Sequence, residues 1–251
     1  YLNVWRGTGT APVAPGIGYT KGRPPPVPGG IAVGSKFLPG HTVPSYPTIQ
    51  IGNQVWMSEN LKATHYRNGH PIPLTPDPDL WMQKITGGRC AYDNDESNVD
   101  TYGYLYNWHA IKDQRGICPE GFHVPRDDEW TELEDYLGGW IVANGKMKEC
   151  TEGSCPESEY WNSPNTGATN ESGFTALPGG YRAAEPINDG GYYNMGYHGY
   201  FWSSTEARWW DPPYYYPAQN AWGRRMKYST AEMNYGIYYK RNGMSVRCVA
   251  S

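Results

Sequence analysis

The sequence predicts an α+β fold on three observations. The one firm helical pattern falls near the middle of the chain, and beyond about residue 139 only short strands and loops follow. The apolar weight rests on rings rather than aliphatic side chains. Leu, Ile, Val and Phe together number 35 of 251 residues, a level that would mean disorder if net charge were also high. Here the net charge is −4, and 22 Tyr with 11 Trp can bury comparable surface provided each OH or NH finds a partner.

Residues 1 to 48 differ in kind from the remainder. They hold 9 of the 22 prolines, 9 glycines and four basic residues (Arg6, Lys21, Arg23, Lys36) without one acid. Such a segment makes no core of its own, and its plain reading is a solvated linker. Residues 49 to 251 carry a net charge of −8 against the +4 of this arm. An extended positive arm therefore suits docking on an acidic body, its own or a neighbour's, and head-to-tail docking between copies gives rings or filaments.

The body begins near Thr48. Ile49-Gln50-Ile51, Gly52-Asn53 and Gln54-Val55-Trp56 read as a β-hairpin with Gly-Asn at the bend. Ser58 can cap a short helix over 58 to 63. Residues 67 to 101, with Pro71, Pro73, Pro76 and Pro78, read as irregular loop, followed by a helix around 104 to 112. The firm helix spans Asp127 to Leu137: Pro125 precedes it, three acids occupy its positive end, and Trp130, Leu133 and Leu137 share a face. Gly138-Gly139 ends it. No helical period follows, and no internal repeat is present.

Several function classes are excluded or disfavoured. No basic excess exists for a nucleic-acid binder working by bulk charge, and no apolar run approaches 18 residues, so no membrane span is expected. Tyr1 without a preceding leader reads as a mature, processed product, although a trimmed piece would look the same. The five cysteines, at 90, 118, 150, 155 and 248, are too scattered for zinc. Cys150 and Cys155 bracket a loop that a disulfide could close, worth roughly 2 kcal/mol, against nearer 5 for a bridge from Cys118 to Cys248. Either bridge implies oxidising surroundings; five buried thiols are the alternative. Cys90 is left over and is expected to be buried.

Eight blocks carry a resemblance. They are Ile51-Gly-Asn-Gln-Val-Trp-Met-Ser-Glu-Asn-Leu61, Tyr66-Arg-Asn-Gly69, Tyr102-Gly-Tyr-Leu-Tyr-Asn-Trp108, Cys118-Pro-Glu-Gly-Phe-His-Val-Pro125, Trp161-Asn-Ser-Pro-Asn-Thr-Gly167, Gly173-Phe-Thr-Ala-Leu-Pro-Gly-Gly-Tyr-Arg182, Phe201-Trp-Ser-Ser-Thr-Glu206 and Ser245-Val-Arg-Cys-Val249. Over about 49 to 251 the chain resembles the Fibrobacter succinogenes major paralogous domain. The resemblance implies secreted or surface proteins of Bacteroidota and Fibrobacteres. It also implies a C-type-lectin-like domain with short helices, small twisted antiparallel sheets and much loop, similar to formylglycine-generating enzymes and retroelement-diversified variable proteins. It pairs Cys118 with Cys248. It brings no established reaction.

Between Tyr192 and Tyr239, 16 of 48 residues are aromatic, with Gly, Asn and Ser in the gaps. Consecutive rings point to opposite faces of a strand, so they cannot all be core. Tyr192, Tyr193, Tyr197, Trp209, Trp210, Tyr214, Tyr215 and Tyr216 are the expected ligand-binding residues, and their rings suit a protein or glycan partner. The alternative is plain packing of a loop-rich fold. Asp93, Asp95 and Asp100 lie in an oxygen-rich loop where Ca²⁺ could bind, although Asn98 and Tyr104 break the EF-hand pattern. Glu185-Pro186-Ile187-Asn188 only faintly resembles a lectin sugar motif, and Asn170-Glu-Ser172 is an acceptor sequon. A formylglycine-generating activity needs two neighbouring thiols near the C-terminus, where only Cys248 stands, and no His pair or Gly-x-Ser-x-Gly appears.

These signs point to a non-enzymatic extracellular or cell-surface protein. It would be a subunit of a homo-oligomer or filament joined by its arm, with a Tyr/Trp-rich adhesive face and no required cofactor. A monomeric ligand- or glycan-binding module, open to retroelement diversification, is the alternative, and a formylglycine-generating-like enzyme a remote third.

Overall fold

The computed structural model describes residues 45–184, 189–207 and 219–251. The helices, in chain order, are α1 (Pro78–Met82), α2 (Val99–Tyr102), α3 (Trp108–Ile111), α4 (Asp127–Tyr136) and α5 (Trp140–Met147). The strands are β1 (Thr48–Ile51), β2 (Gln54–Met57), β3 (Arg89–Cys90), β4 (Leu105–Tyr106), β5 (Phe122–His123), β6 (Gly179–Arg182), β7 (Tyr192–Met195), β8 (His198–Glu206), β9 (Asn220–Lys227), β10 (Asn234–Tyr239) and β11 (Val249–Ala250). They form an α+β protein with one four-stranded sheet (β1-β2-β11-β5), one five-stranded sheet (β10-β9-β8-β6-β7) and the pair β3-β4.

The hairpin stands where the sequence predicts it, with Ile51 opposite Gln54 and Gly52 at φ +60°. A Cβ at Gly52 would come within 2.8 Å of the Tyr136 ring, so both the turn and the close approach of α4 require glycine. The predicted helix over 58 to 63 is absent. Leu61 N–H donates to Val246 O and Met57 N–H to Cys248 O, so this segment runs extended beside the C-terminal strand. Tertiary pairing has overridden the capping signal.

The helix expected over 104 to 112 is reduced to α3, because Leu105–Tyr106 pairs with Arg89–Cys90 and Asn107 caps the turn by accepting from Ala110 N–H at 3.0 Å. The loop expected over 67 to 101 contains α1, started by the Asp77 side chain and Pro78, and α2 at its end. Helix α4 forms as predicted, burying Trp130 and Leu133. Helix α5 has no counterpart in the prediction. It buries Ala143, Asn144, Gly145 and Met147 but exposes Trp140 and Ile141, which inverts the usual pattern.

The five-stranded sheet divides the two larger cores. Tyr200, Trp202 and Ala221 face one, with Leu61, Tyr66, Tyr106 and Val246. Phe201 and Met226 face the other, with Trp56, Trp130, Trp161 and Phe174. The second core is a contiguous ring stack: Trp56 to Trp130 at 4.9 Å and Phe174 to Phe201 at 5.9 Å between centroids. Four buried indole N–H groups find backbone acceptors, Trp202 at Tyr106 O (2.7 Å), Trp108 at Ser203 O (3.1 Å), Trp130 at Trp202 O and Trp161 at Ala176 O, whereas that of buried Trp81 has none among the described residues.

Two disulfides are present, Cys118–Cys248 with Cα atoms 6.0 Å apart and Cys150–Cys155 at 5.5 Å. Cys90 is a buried free thiol whose pKa burial raises to about 11. No helix among the described residues is long and apolar enough to cross a membrane. The arm of residues 1 to 44 lies outside the described residues.

Candidate functional site

One face of the five-stranded sheet carries a row of side chains, one per strand: Tyr238 (β10), Arg225 (β9), Tyr200 (β8), Tyr181 (β6) and Tyr193 (β7). Register explains the row. Tyr200 lies opposite Arg225, Tyr181 opposite Tyr193, and Gly180 beside Gly199, so these residues point the same way. Ring centroids are 5.8 Å apart for Tyr238 and Tyr200, 4.8 Å for Tyr200 and Tyr181, and 5.7 Å for Tyr181 and Tyr193. The row rests on the first core through Tyr181, Tyr200 and Tyr238, and all but Tyr200 remain partly open.

Polar groups complete the face. Asn194 Nδ2 donates to Tyr200 Oη at 3.0 Å, and the His198 Nδ1 lies 3.1 Å from the same oxygen. Burial first, then the charges of Arg225 and Lys227, pull the His198 pKa down to about 4, so the ring is neutral near pH 7. A neutral ring carries one N–H and one acceptor nitrogen. Lys227, opposite His198, is lowered by burial and by Arg225, with Glu232 opposing. Arg225 donates to Asn234 Oδ1 at 3.3 Å, while its buried Nε has no acceptor. At the opposite edge, the Tyr193 hydroxyl donates to exposed Asp189 at 3.0 Å.

The structure distributes the expected ligand residues unevenly. Tyr193 lies in the row. Tyr192 points the other way, stacking on Tyr92 at 5.2 Å and on Arg182 at 4.9 Å and donating to Asn94 Oδ1. Tyr197, at the β7–β8 turn, packs edge-on against Tyr228 at 5.4 Å. Trp209, Trp210, Tyr214, Tyr215 and Tyr216 lie outside the described residues, as does Glu185-Pro-Ile-Asn188. Tyr181, His198 and Arg225 escaped the sequence reading: Tyr181 precedes the ring-rich window, and single basic residues between rings give no periodic signal.

The acidic loop does not gather ligands. Asp95 accepts from both the N–H and hydroxyl of Ser97, holding its carboxyl below the usual range, and Glu96 accepts from the Tyr104 hydroxyl at 2.5 Å. Among the described residues no group of three or more His, Cys, Asp or Glu side chains could hold a metal ion. Asp93, Asp95 and Asp100 are thus dispersed over turn and helix-start positions. Asn170 of the sequon spends its amide on Thr175, donating at 3.0 Å and accepting at 2.8 Å. Around the Cys150–Cys155 loop a hollow of about 450 Å³ is lined by Glu149, Glu152, Glu157 and Glu159.

The description "Fibrobacter succinogenes major domain" belongs to the family model that matches residues 49–250. The chain belongs to this family. No curated protein and no solved structure matches it. In this Fibrobacter succinogenes major domain the blocks of the resemblance fall largely on internal supports. Arg182 is sandwiched between Trp81 at 4.8 Å and Tyr192, and its guanidinium donates to Thr75, Pro76 and Gly190 carbonyls. Arg247 lies 4.3 Å from the Phe174 ring and donates to Asn60 Oδ1 and to the carbonyls of Met57, Phe174 and Thr175. The aromatic face is built outside most of those blocks, sharing with them only Tyr181.

Proposed function

We propose that this domain is a non-enzymatic extracellular surface protein that adheres through the aromatic face of its five-stranded sheet and joins copies of itself through its N-terminal arm. The observation that carries the reading is the row of Tyr181, Tyr193, Tyr200 and Tyr238 with His198, Asn194 and Arg225 beside it. Tyrosines supply rigid contact area at low entropy cost, and their CH-stacking faces suit sugar rings. Two disulfides fit an oxidising compartment. The C-type-lectin-like fold of the resemblance belongs to the same reading.

Arm docking rests on charge. Four basic residues without an acid in residues 1 to 48 meet a body of net −8, on which the glutamate-lined hollow is a concentrated negative surface. A monomeric recognition module, diversified or not, is the alternative, and one cut separates the two. With residues 1 to 48 deleted, filaments or oligomers seen by electron microscopy of the intact chain should vanish. If the assembly state is unchanged, polymerisation through the arm is wrong. Adhesion is tested by binding the intact chain and the Tyr181→Ser/Tyr193→Ser variant to immobilised polysaccharides. The variant should bind at least tenfold less at a temperature where its cooperative melting shows it folded, and equal binding would remove the face from the reading.

A further inference from the structure

We infer that the basic end of the aromatic face is a subsite for a carboxylated sugar, a uronic acid unit, with Arg225 as the carboxylate-binding residue. This deepens the adhesive reading above and rests on it.

The argument begins with an electrostatic imbalance. Arg225 and Lys227 are two residues apart on β9 and point to the same side, with His198 opposite Lys227 and Tyr200 opposite Arg225. Among the described residues neither cation has a carboxylate within ion-pair distance. By contrast, Arg224 is held by Asp127 and Glu134, Lys240 by Glu206, and Arg182 and Arg247 by carbonyls and rings. Arg225 has one acceptor, Asn234 Oδ1, and its buried Nε has none. A guanidinium has five N–H groups in a planar fork that matches a carboxylate, and of the terminal ones only Nη2 has a partner among the described residues, Asn234 Oδ1. Burial first, and then the charge of Arg225, lower the basicity of Lys227.

The surroundings select a sugar rather than a bare anion. Tyr200, 4% exposed, lies between Arg225 and the partly open Tyr181, and partly open Tyr238 packs edge-on to it, so a saccharide stacked on Tyr181 or Tyr238 extends its carboxylate toward the guanidinium. His198, neutral, carries one N–H and one acceptor nitrogen beside Tyr200, and the Asn194 and Asn234 amides, which already donate to Tyr200 Oη and Glu232 O, make the surroundings polar. Asp189, ahead of the edge strand β7 and bonded to Tyr193, would repel an anion there and favours the Arg225 end.

The test titrates the full chain with trigalacturonic acid and with its methyl ester, which keeps the ring and removes the charge, using calorimetry or NMR. The acid should bind at least tenfold more tightly than the ester and weaken as salt rises from 50 to 300 mM. Arg225→Gln should lower acid affinity at least tenfold, Arg225→Lys less. Melting temperature serves as the folding control. If Arg225→Gln is unfolded, Lys227→Gln, at a partly open position, should still weaken the acid selectively, about threefold. Equal affinity for acid and ester, or a folded Arg225→Gln with unchanged affinity, overturns the carboxylate subsite while adhesion through the rings survives. Failure of both sugars to bind overturns the subsite. If the double tyrosine variant also adheres normally to polysaccharides, the adhesive reading falls with it.

Discussion

Lys148 shows how a single residue exerts itself in a loop-rich fold. Fully buried, it donates to the carbonyls of Thr166 (2.9 Å), Lys227 (3.2 Å), Tyr228 (3.3 Å) and Thr230 (3.3 Å), and its Nζ lies 5.5 Å from the Trp161 ring. Burial pulls its pKa down to about 7 from an ordinary 10.5. Between those values the unfolded chain holds a proton that the folded chain has released, so stability rises with pH through that window. The slope can approach about 1.4 kcal/mol per pH unit. Urea unfolding of the native chain from pH 7 to 9.5 should show the rise, and Lys148→Met should flatten it. The same variant should lose about 1–3 kcal/mol at pH 7 by leaving carbonyls without their shared donor. Parallel pH curves would refute this role. His198 obeys the same sign: with a folded pKa of about 4, its contribution weakens as pH falls below about 6.5, and its imidazole NMR resonances should titrate near pH 4. Neither role was legible in the sequence, because a lone Lys between Met147 and Glu149 looks the same buried or solvated.

Among the elements, α4 was the most legible because every signal agreed: Pro before it, acids at its start, a shared apolar face and Gly-Gly after it. Its attachment was not. Arg224 on β9 reaches Asp127 at the first turn and Glu134 two turns later, with Thr131 Oγ1 at 3.4 Å between them. Glu134 is 5% exposed, and burial raises its pKa against the pull of Arg224. Replacing Arg224 with Met strands that carboxylate, which should cost about 3–5 kcal/mol in urea or thermal unfolding. Arg224→Met/Glu134→Leu should recover most of the loss, and a double variant as unstable as the single would show that packing, not the ion pair, secures the helix. Helix α5 was illegible for a related reason. Its buried side is Ala143, Asn144, Gly145 and Met147, and a Cβ at Gly145 would come within 2.3 Å of Gly167 O, so backbone proximity sets this contact rather than apolar periodicity. The Tyr192–Tyr193 pair was legible in principle, since strand alternation predicts opposite faces. Which ring joins the Tyr181–Tyr200 row and which faces Arg182 depends on the register with β6, where Tyr181 lies opposite Tyr193 and Arg182 opposite Tyr192, and alternation alone does not give that register.

For the whole molecule, the difficulty is that much of the backbone is irregular and leaves carbonyls without strand or helix partners. Buried cations answer this need: Arg182, Arg247 and Lys148 each bind three or more carbonyls from distant segments. The family blocks therefore spell out the frame, leaving the aromatic face to be built between them. The disulfides divide the same way. Cys118 precedes β5 and Cys248 precedes β11, two strands paired in the four-stranded sheet, so this bridge fastens the end of the chain to its middle across 130 residues. Cys150–Cys155 closes only a local loop at the glutamate-lined hollow, with a separation of 5. Loop-closure entropy grows with the loop, so Cys118→Ser/Cys248→Ser should cost about 2–5 kcal/mol and Cys150→Ser/Cys155→Ser roughly 2 or less. Urea denaturation of the two double variants, each beside the oxidised parent, measures the difference directly. Equal losses would mean that the long bridge adds no constraint beyond what β2, β5, β11 and the Arg247 contacts already impose on the unfolded-to-folded step.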